Sequence, residues 1–303
     1  MQKIHLSFFA NAATLPFEVA VERQCFRNSG LDVELFPTKS SIEQMTGIID
    51  GRYQIAATAI DNIIAYNEGQ GAVATKMRSE LQVFLGNSSY RLPFVVHGPI
   101  SNFASLKGGQ IAVDALSTGY AFLLRDMLES NGLKAEDYEF VSYGAPKERW
   151  EALKGGLVRG ALLSDYFARM AIDSGCHVLT GNPDPWDNYQ GNVCCAQRSF
   201  IEENPTVISA FTKTMKEAVD FTLDPANLDV LAEMLSNHLG GLSRNDAIES
   251  VRTLQSAHSV IKRELPISRS GTRKVMELRE RFTGQRLKIG LEEYFTPNVT
   301  LAP

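Results

Sequence analysis

Ser117, Thr118 and Gly119 stand where an apolar run, GQIAVD, gives way to an amphipathic one, YAFLLRDMLESNGL. Two hydroxyls and a glycine at a strand-to-helix handover suit the holding of an anion. The first turn of a helix has backbone N–H groups without partners and carries partial positive charge. Ser and Thr add donors, and Gly lets a ligand approach the backbone closely. A carboxylate, sulfonate or phosphate is the guest such chemistry fits. The same hydroxyls would serve as plain helix caps, and both readings stand at this point. Tyr120, next in line, offers a ring and a hydroxyl.

Other segment ends carry comparable groups. FFANAA offers Asn11, PTKSS offers Ser40 and Ser41, and ATAIDN offers Thr58, Asp61 and Asn62. Ser40, Ser41 and Asp61 read equally well as caps, whereas Asn11 has no evident helix to cap. Tyr143 follows one strand-like run, and Asp165 with Tyr166 follows another. Tyr90 and Arg91 precede LPFVVHG, and Trp186, Asn188 and Tyr189 lie in the loop TGNPDPWDNYQG. Arg149 has the fork geometry to grip a carboxylate, although a surface ion pair with a nearby Glu is the preferred reading.

Catalytic groups are sparse. The cysteines are Cys25, Cys176, Cys194 and Cys195. Adjacent cysteines bond to each other only with strain and no C-x-x-C pair exists, so neither a zinc site nor a disulfide framework is expected. They read as small buried hydrophobes. The histidines (His5, His97, His177, His238 and His258) are scattered, and His97 alone is an acid/base candidate. No metal-ligand spacing stands out, and no cofactor is expected.

The elements that must position these groups follow from periodicity. KIHLSFFA, LDVELFP and YQIAATA read as strands, separated by helical LPFEVAVERQCFRNSG and by SSIEQMTGIIDG, opened by Ser41 with Gln44 three residues on. IDNIIAYNEG reads as helix, and AVATKM and LQVFLGNSS as strands. From about Leu92 the rhythm restarts: LPFVVHG, QIAVDA, YEFVSYG and VRGALLS alternate with helical SNFASLKGG, the Tyr120 run, APKERWEALKGG and DYFARMAIDSG. After NVCCAQ, a last strand, the chain is helical, including SRNDAIESVRTLQSAHSVI and SGTRKVMELRERFTG. Strand–helix alternation with short links predicts parallel sheets covered by helices on both faces, here in two lobes.

The chain has 303 residues, of which 44% are hydrophobic and 21% charged, with a net charge of -5. No basic stripe is present, so no nucleic-acid partner is expected. No apolar run approaches 18 residues, so no membrane span is expected. MQKIHLSFFANAA lacks the basic segment, apolar core and cleavage site of an export signal. A signal removed from ahead of it would make the protein periplasmic; otherwise the expectation is cytoplasmic.

In order along the chain, LPFEVAVERQCFRNSGLDVEL, IEQMTGIIDGRYQIAATAIDNIIAYNEGQG, FASLKGGQIAVDALSTGYAFLLRDMLESNGL, ERWEALKGGLVRGALLS and RSFIEENPTVISAFTKTMKEAVDF resemble segments of one family. It is the nitrate/sulfonate/taurine class of ABC-transporter solute-binding proteins, related to the thiamine pyrimidine-precursor synthase group. The resemblance implies a type II periplasmic-binding-protein-like α/β fold: two lobes with parallel-rich sheets flanked by helices, two hinge crossings and a helical C-terminal segment. It places lobe one at 1–90 and 195–303, lobe two at 91–190, and a ligand cleft between them. It implies a binding protein that closes by hinge motion over a small anionic or aromatic ligand and presents it to an ABC permease. The alternative is a cytoplasmic lyase or hydrolase on the same fold, such as a decarboxylase or desulfinase acting on a cyclic acid. The likeness to the precursor synthase stops at its working residues: only Cys194 and Cys195 remain of a cysteine cluster, and Asn62 stands at its catalytic histidine.

Overall fold

The computed structural model describes residues 1–302 apart from 90, 183, 187, 240, 241, 258 and 298, and leaves aside the side chain of Asp165. The chain opens with β1 (Gln2–Phe8), α1 (Leu15–Glu22), α2 (Cys25–Asn28), β2 (Leu31–Pro37), α3 (Ser41–Ile49), β3 (Ile55–Ala59), α4 (Ile60–Asn67) and β4 (Leu81–Ser88). It continues with β5 (Phe94–Val96), β6 (Gly109–Val113), α5 (Gly119–Ser130), β7 (Tyr138–Ser142), α6 (Pro146–Lys154), β8 (Gly160–Leu162), α7 (Asp165–Asp173) and β9 (His177–Val178). Then come β10 (Asn192–Gln197), α8 (Arg198–Glu203), α9 (Pro205–Thr222), α10 (Leu228–Leu239), α11 (Arg244–Leu254), β11 (Ile267–Ser268), α12 (Arg269–Thr283) and β12 (Leu301–Ala302). Packing divides this chain into two units, Met1–Tyr90 with Gln190–Arg273 and Leu287–Pro303, and Arg91–Tyr189 with Lys274–Arg286.

The first unit holds a five-stranded sheet in the order β2-β1-β3-β10-β4. β1 is parallel to β2 and β3, while β10 runs antiparallel between β3 and β4. Val193, Cys194, Cys195 and Ala196 of β10 are each at most 1% exposed, as a strand covered on both faces requires. Its pairing with β4 slips between Asn192 and Val193: Asn192 opposes Ser88 and Val193 opposes Gly86. Asn87 is thus the extra residue of a β-bulge, which bends a strand and re-aims side chains. Gly86 meets another strand of chain here. Its N–H donates to the Leu265 carbonyl at 3.0 Å, and a Cβ would collide with the carbonyl oxygens of Leu265 and Pro266. On the helical side, Phe211 of α9 stacks on Phe26 at 5.2 Å and meets the edge of Phe84 at 5.8 Å.

The second unit's sheet has the order β7-β6-β8-β5-β9. β6 is parallel to β7 and β8, while β5 is antiparallel to β8 and β9. Trp150, Leu153, Leu163 and Val95 anchor its core. Residues 274–286, which the family resemblance assigns to lobe one, pack within this unit. Lys274 Nζ and Arg281 Nη1 reach the carboxylate of Asp126 at 2.9 and 2.7 Å, and Phe282 stacks on Phe122 at 5.8 Å.

Several sequence-based expectations are corrected. AVATKM forms no strand: residues 72–77 are irregular and largely exposed. The long first helix is broken at Gln24, which takes the left-handed φ of 60°, so that Cys25 starts a separate turn. SNFASLKGG yields only a short 3-10 turn over Phe103–Leu106, and the helix starting at Ser243 stops at Leu254 rather than running on towards Ile261. The cap of α3 is Ser40, one residue earlier than expected. Its Oγ accepts the Glu43 amide at 3.3 Å, and Gln44 is instead buried with its side-chain amide donating to the Ala57 carbonyl at 3.1 Å.

Candidate functional site

The parallel strands of the second unit run β7, β6, β8, and the polar residues after β6 gather at their carboxyl ends. Thr118 is the N-cap of α5: Oγ1 accepts the Ala121 amide at 3.2 Å and donates to Asp114 Oδ1 at 2.7 Å. A hydroxyl has one proton, so Thr118 donates to this carboxylate and not at the same time to a ligand. Ser117 is exposed, and its carbonyl accepts from Arg279 Nη2 at 3.1 Å. Gly119, buried, opens the helix. Donors for an anion here are therefore the Ser117 hydroxyl and the first-turn backbone amides other than that of Ala121, which Thr118 caps.

Asp114 escaped the sequence reading, although an Asp ending a strand four residues before a helix-capping Thr is a visible signal. Its backbone is stitched to the neighbouring segment by Ser142 Oγ and Gly144 N, at 2.7 and 3.2 Å from its carbonyl. Burial pushes its carboxyl group above the ordinary carboxylate range, against the opposing pull of the Arg149 charge, the Thr118 hydroxyl and nearby backbone amides. Arg149 is neither a surface ion pair nor a solvent-facing clamp. It is 3% exposed and donates to the carbonyls of Leu162 and Gly144 at 2.7 and 2.5 Å. The stability consequence has a definite sign. A raised value means the folded protein holds the proton more tightly than the unfolded chain. The protonated form contributes stability at low pH, and that contribution disappears as pH rises through the folded value. Asp114→Asn keeps the shape without ionising. Its melting temperature is expected above that of the parent at about pH 7, with the advantage gone near pH 3. A variant less stable than the parent at neutral pH would contradict this.

Tyr120 stands in the first turn of α5 with Trp186 and Tyr189, at ring-centroid distances of 5.7 and 6.2 Å, and Trp186 meets Tyr189 at 5.8 Å. Asp184 ties this wall to Arg91: it accepts from Arg91 Nη1 at 2.9 Å and from the Trp186 amide at 3.0 Å. Of the residues singled out in the sequence, Arg91, Thr118, Gly119, Tyr120, Trp186 and Tyr189 are thus drawn into one region. Tyr143 turns inward instead and packs on the core around Trp150 and Leu163. Asn188 is exposed with a left-handed φ of 60°. Asp165 opens α7 and its side chain lies outside the described residues, as does Tyr90.

In the first unit, Asn11 does have a helix to cap. Its Oδ1 accepts the Ala13 amide and its Nδ2 donates to the Phe9 carbonyl, both at 2.8 Å, at the head of a 3-10 turn. A three-residue turn leaves no periodic trace, which is why the sequence hid it. Ser40 caps α3 as described. Thr58 is 1% exposed and accepts from Asn62 Nδ2 at 2.9 Å, and Asp61, 3% exposed, sits beside them on the first turn of α4. Beyond this set, the structure adds Asn87 and Ser88, 6% and 5% exposed, whose Nδ2 and Oγ are buried without a hydrogen-bond partner among the described residues.

The nucleophile and acid/base candidates stand apart. Burial pushes the Cys194 thiol up to about 12 and Cys195 higher still, so neither is a thiolate at neutral pH. His97 lies at the opposite end of the second unit's parallel strands from Asp114, in a recess of about 260 Å³ shared with Trp150, Lys154 and Cys176. His258 lies outside the described residues. Among the described residues no group of three His, Cys, Asp or Glu could hold a metal ion, and no helix is long and apolar enough to cross a membrane.

Comparison with known proteins agrees with this architecture. A family model described as NMT1/THI5 like matches residues 11–227. The nitrate import ATP-binding protein NrtC of Synechococcus elongatus is 26% identical over 261 residues, covering 77% of this chain and 37% of that protein. A putative aliphatic sulfonates-binding protein of Escherichia coli is 29% identical over 123 residues, covering 40% of this chain and 37% of that protein. The chain therefore matches little more than a third of the length of these relatives. The solved structure of the periplasmic aliphatic sulphonate binding protein SsuA from Escherichia coli superposes with a TM-score of 0.75 at 19% identity, covering 100% of this chain and 94% of that one. That likeness is one of fold: a mixed α/β periplasmic-binding-protein-like architecture.

Proposed function

Since this chain belongs to the NMT1/THI5-like family, we propose that it is a solute-binding protein that delivers a small organic ligand to an ABC permease. The ligand carries an oxyanion, a carboxylate or a sulfonate, held by the first-turn amides of α5 and the Ser117 hydroxyl. A planar part of the ligand lies against the wall of Tyr120, Trp186 and Tyr189. The observation that carries the reading is the joining of a helix N-terminus, an aromatic wall and the Arg91–Asp184 pair at one end of the second unit. Arginine and aromatic side chains beside oriented N–H groups are tools for gripping and orienting. The buried thiols and the remote His97 favour binding over turnover.

The test is a thermal-shift titration with ethanesulfonate, benzenesulfonate and benzoate, with the solution checked for new products. A ligand binding only the folded protein stabilises it by about 2.7 kcal/mol at a hundredfold excess over Kd. At least one probe is expected to raise the melting temperature by several degrees, increasing with the logarithm of its concentration, and to be recovered unchanged. No shift with any of them, or conversion of a probe, would overturn the reading.

A further inference from the structure

At the other sheet, three adjacent strands end in polar residues that the sequence reading did not connect. β3 ends at Thr58 and Ala59, β10 begins at Asn192, and β4 ends at Asn87 and Ser88. The register aligns them: Asn192 opposes Ala59 on one side and Ser88 on the other, and the Ile60 amide donates to the Gly191 carbonyl at 3.1 Å. Directly opposed residues present their side chains on the same face of a sheet, so Ser88 and Asn192 share one. Asn87 is aimed by the bulge rather than by the regular pleat.

Buried polar atoms are almost always hydrogen-bonded, and each exception calls for a reason. Here two exceptions are consecutive. Asn87 Nδ2 and Ser88 Oγ are both buried without a partner among the described residues, in residues more than nine-tenths buried. The neighbouring polar groups behave differently, since Asn62 Nδ2 donates to Thr58 Oγ1. The two unmatched groups are a donor and a hydroxyl, the set that an oxygen acceptor would complete.

We propose that Asn87 and Ser88 are solute-contacting residues, donating to an acceptor oxygen (carboxylate or sulfonate) of a bound solute. This rests on the reading of the chain as a solute-binding protein and assigns it two contacts on β4. Such groups are costly to the empty fold and useful only when the ligand arrives, which gives the inference a signature of its own. A residue with a structural role loses stability when truncated, whereas a ligand-facing orphan does not.

The experiment compares the parent with Ser88→Ala and with Asn87→Asp, which is isosteric but replaces the amide donor by an acceptor. Without ligand, Ser88→Ala is expected to melt at or above the parent temperature, because it removes a buried hydroxyl that has no partner among the described residues. A drop of several degrees would overturn the inference by exposing a structural partner. With ethanesulfonate, benzenesulfonate and benzoate measured by calorimetric titration, each variant is expected to bind the parent's preferred probe about 10- to 100-fold more weakly. Parent-like affinity in both variants would overturn the β4 contacts while leaving the solute-binding reading standing. Failure of every probe to bind the parent itself would overturn both together.

Discussion

Phe211→Ala is expected to destabilise the protein by about 3–5 kcal/mol, the range for emptying a large aromatic position in a close-packed core. Phe211 is fully buried on α9, and its ring is the shared partner of Phe26 and Phe84. Phe26 belongs to the short α2 and Phe84 to β4, so one side chain fastens a helix pair to the sheet. Truncation removes apolar burial and aromatic contacts together, and neighbours in a dense core relax only partly into the void. Proteins of ordinary stability have only about 5–15 kcal/mol in hand, so the variant should be marginal. Guanidinium unfolding followed by circular dichroism should show a midpoint well below the parent's, with Phe211→Leu recovering part of the loss. A midpoint within experimental scatter of the parent would mean that this aromatic group is not the fastening point.

The second large effect is expected at Gly86→Ala. Here the change adds a single methyl group. The new Cβ would fall on the carbonyl oxygens of Leu265 and Pro266, which are backbone and cannot swing aside as a side-chain tip would. The backbone there is held by its own bonds: Ile267 N donates to the Thr300 carbonyl at 3.0 Å and Ser268 N to Gln190 Oε1 at 2.7 Å. Relief requires breaking the Gly86–Leu265 hydrogen bond as well as separating two chain segments. Overpacking of this kind costs about 1–3 kcal/mol and occasionally more, and the lost bond adds roughly 1 kcal/mol. A fall in melting temperature of about 6 °C or more is expected for a chain of this size, and one under about 2 °C would refute the argument.

The large features of the fold were legible because they depend on local rules. Alternating apolar runs such as KIHLSF and buried runs such as NVCCA became strands, and the helical C-terminal third followed from its periodicity. The failures have specific causes. AVATKM has the composition of a strand, but its residues are mostly exposed and irregular and join neither five-stranded sheet. Gln24 breaks a run that is helical by propensity, a choice that packing imposes and composition does not announce. Of the candidate site, the α5 turn and the aromatic wall could be read because strand-to-helix handovers and Trp/Tyr-rich loops are visible in one dimension. Arg149 was misjudged because arginine is by default a surface residue, and its burial depends on carbonyls from two other segments. Asn87 and Ser88 were missed because their burial follows from the insertion of β10 alongside β4, roughly a hundred residues later in the chain.

That insertion also constrains how the molecule is made. A ribosome releases β3 and β4 early, yet the strand that joins them emerges only after the entire 91–189 segment. Until then the nascent sheet has two open borders with unpaired amides and carbonyls, an arrangement prone to capture by a foreign strand. The intervening segment holds most of its own sheet and core and can begin to fold meanwhile. Completion of the first sheet is therefore a late event in biogenesis, and it is then that Asn87 and Ser88 acquire the enclosure that distinguishes them.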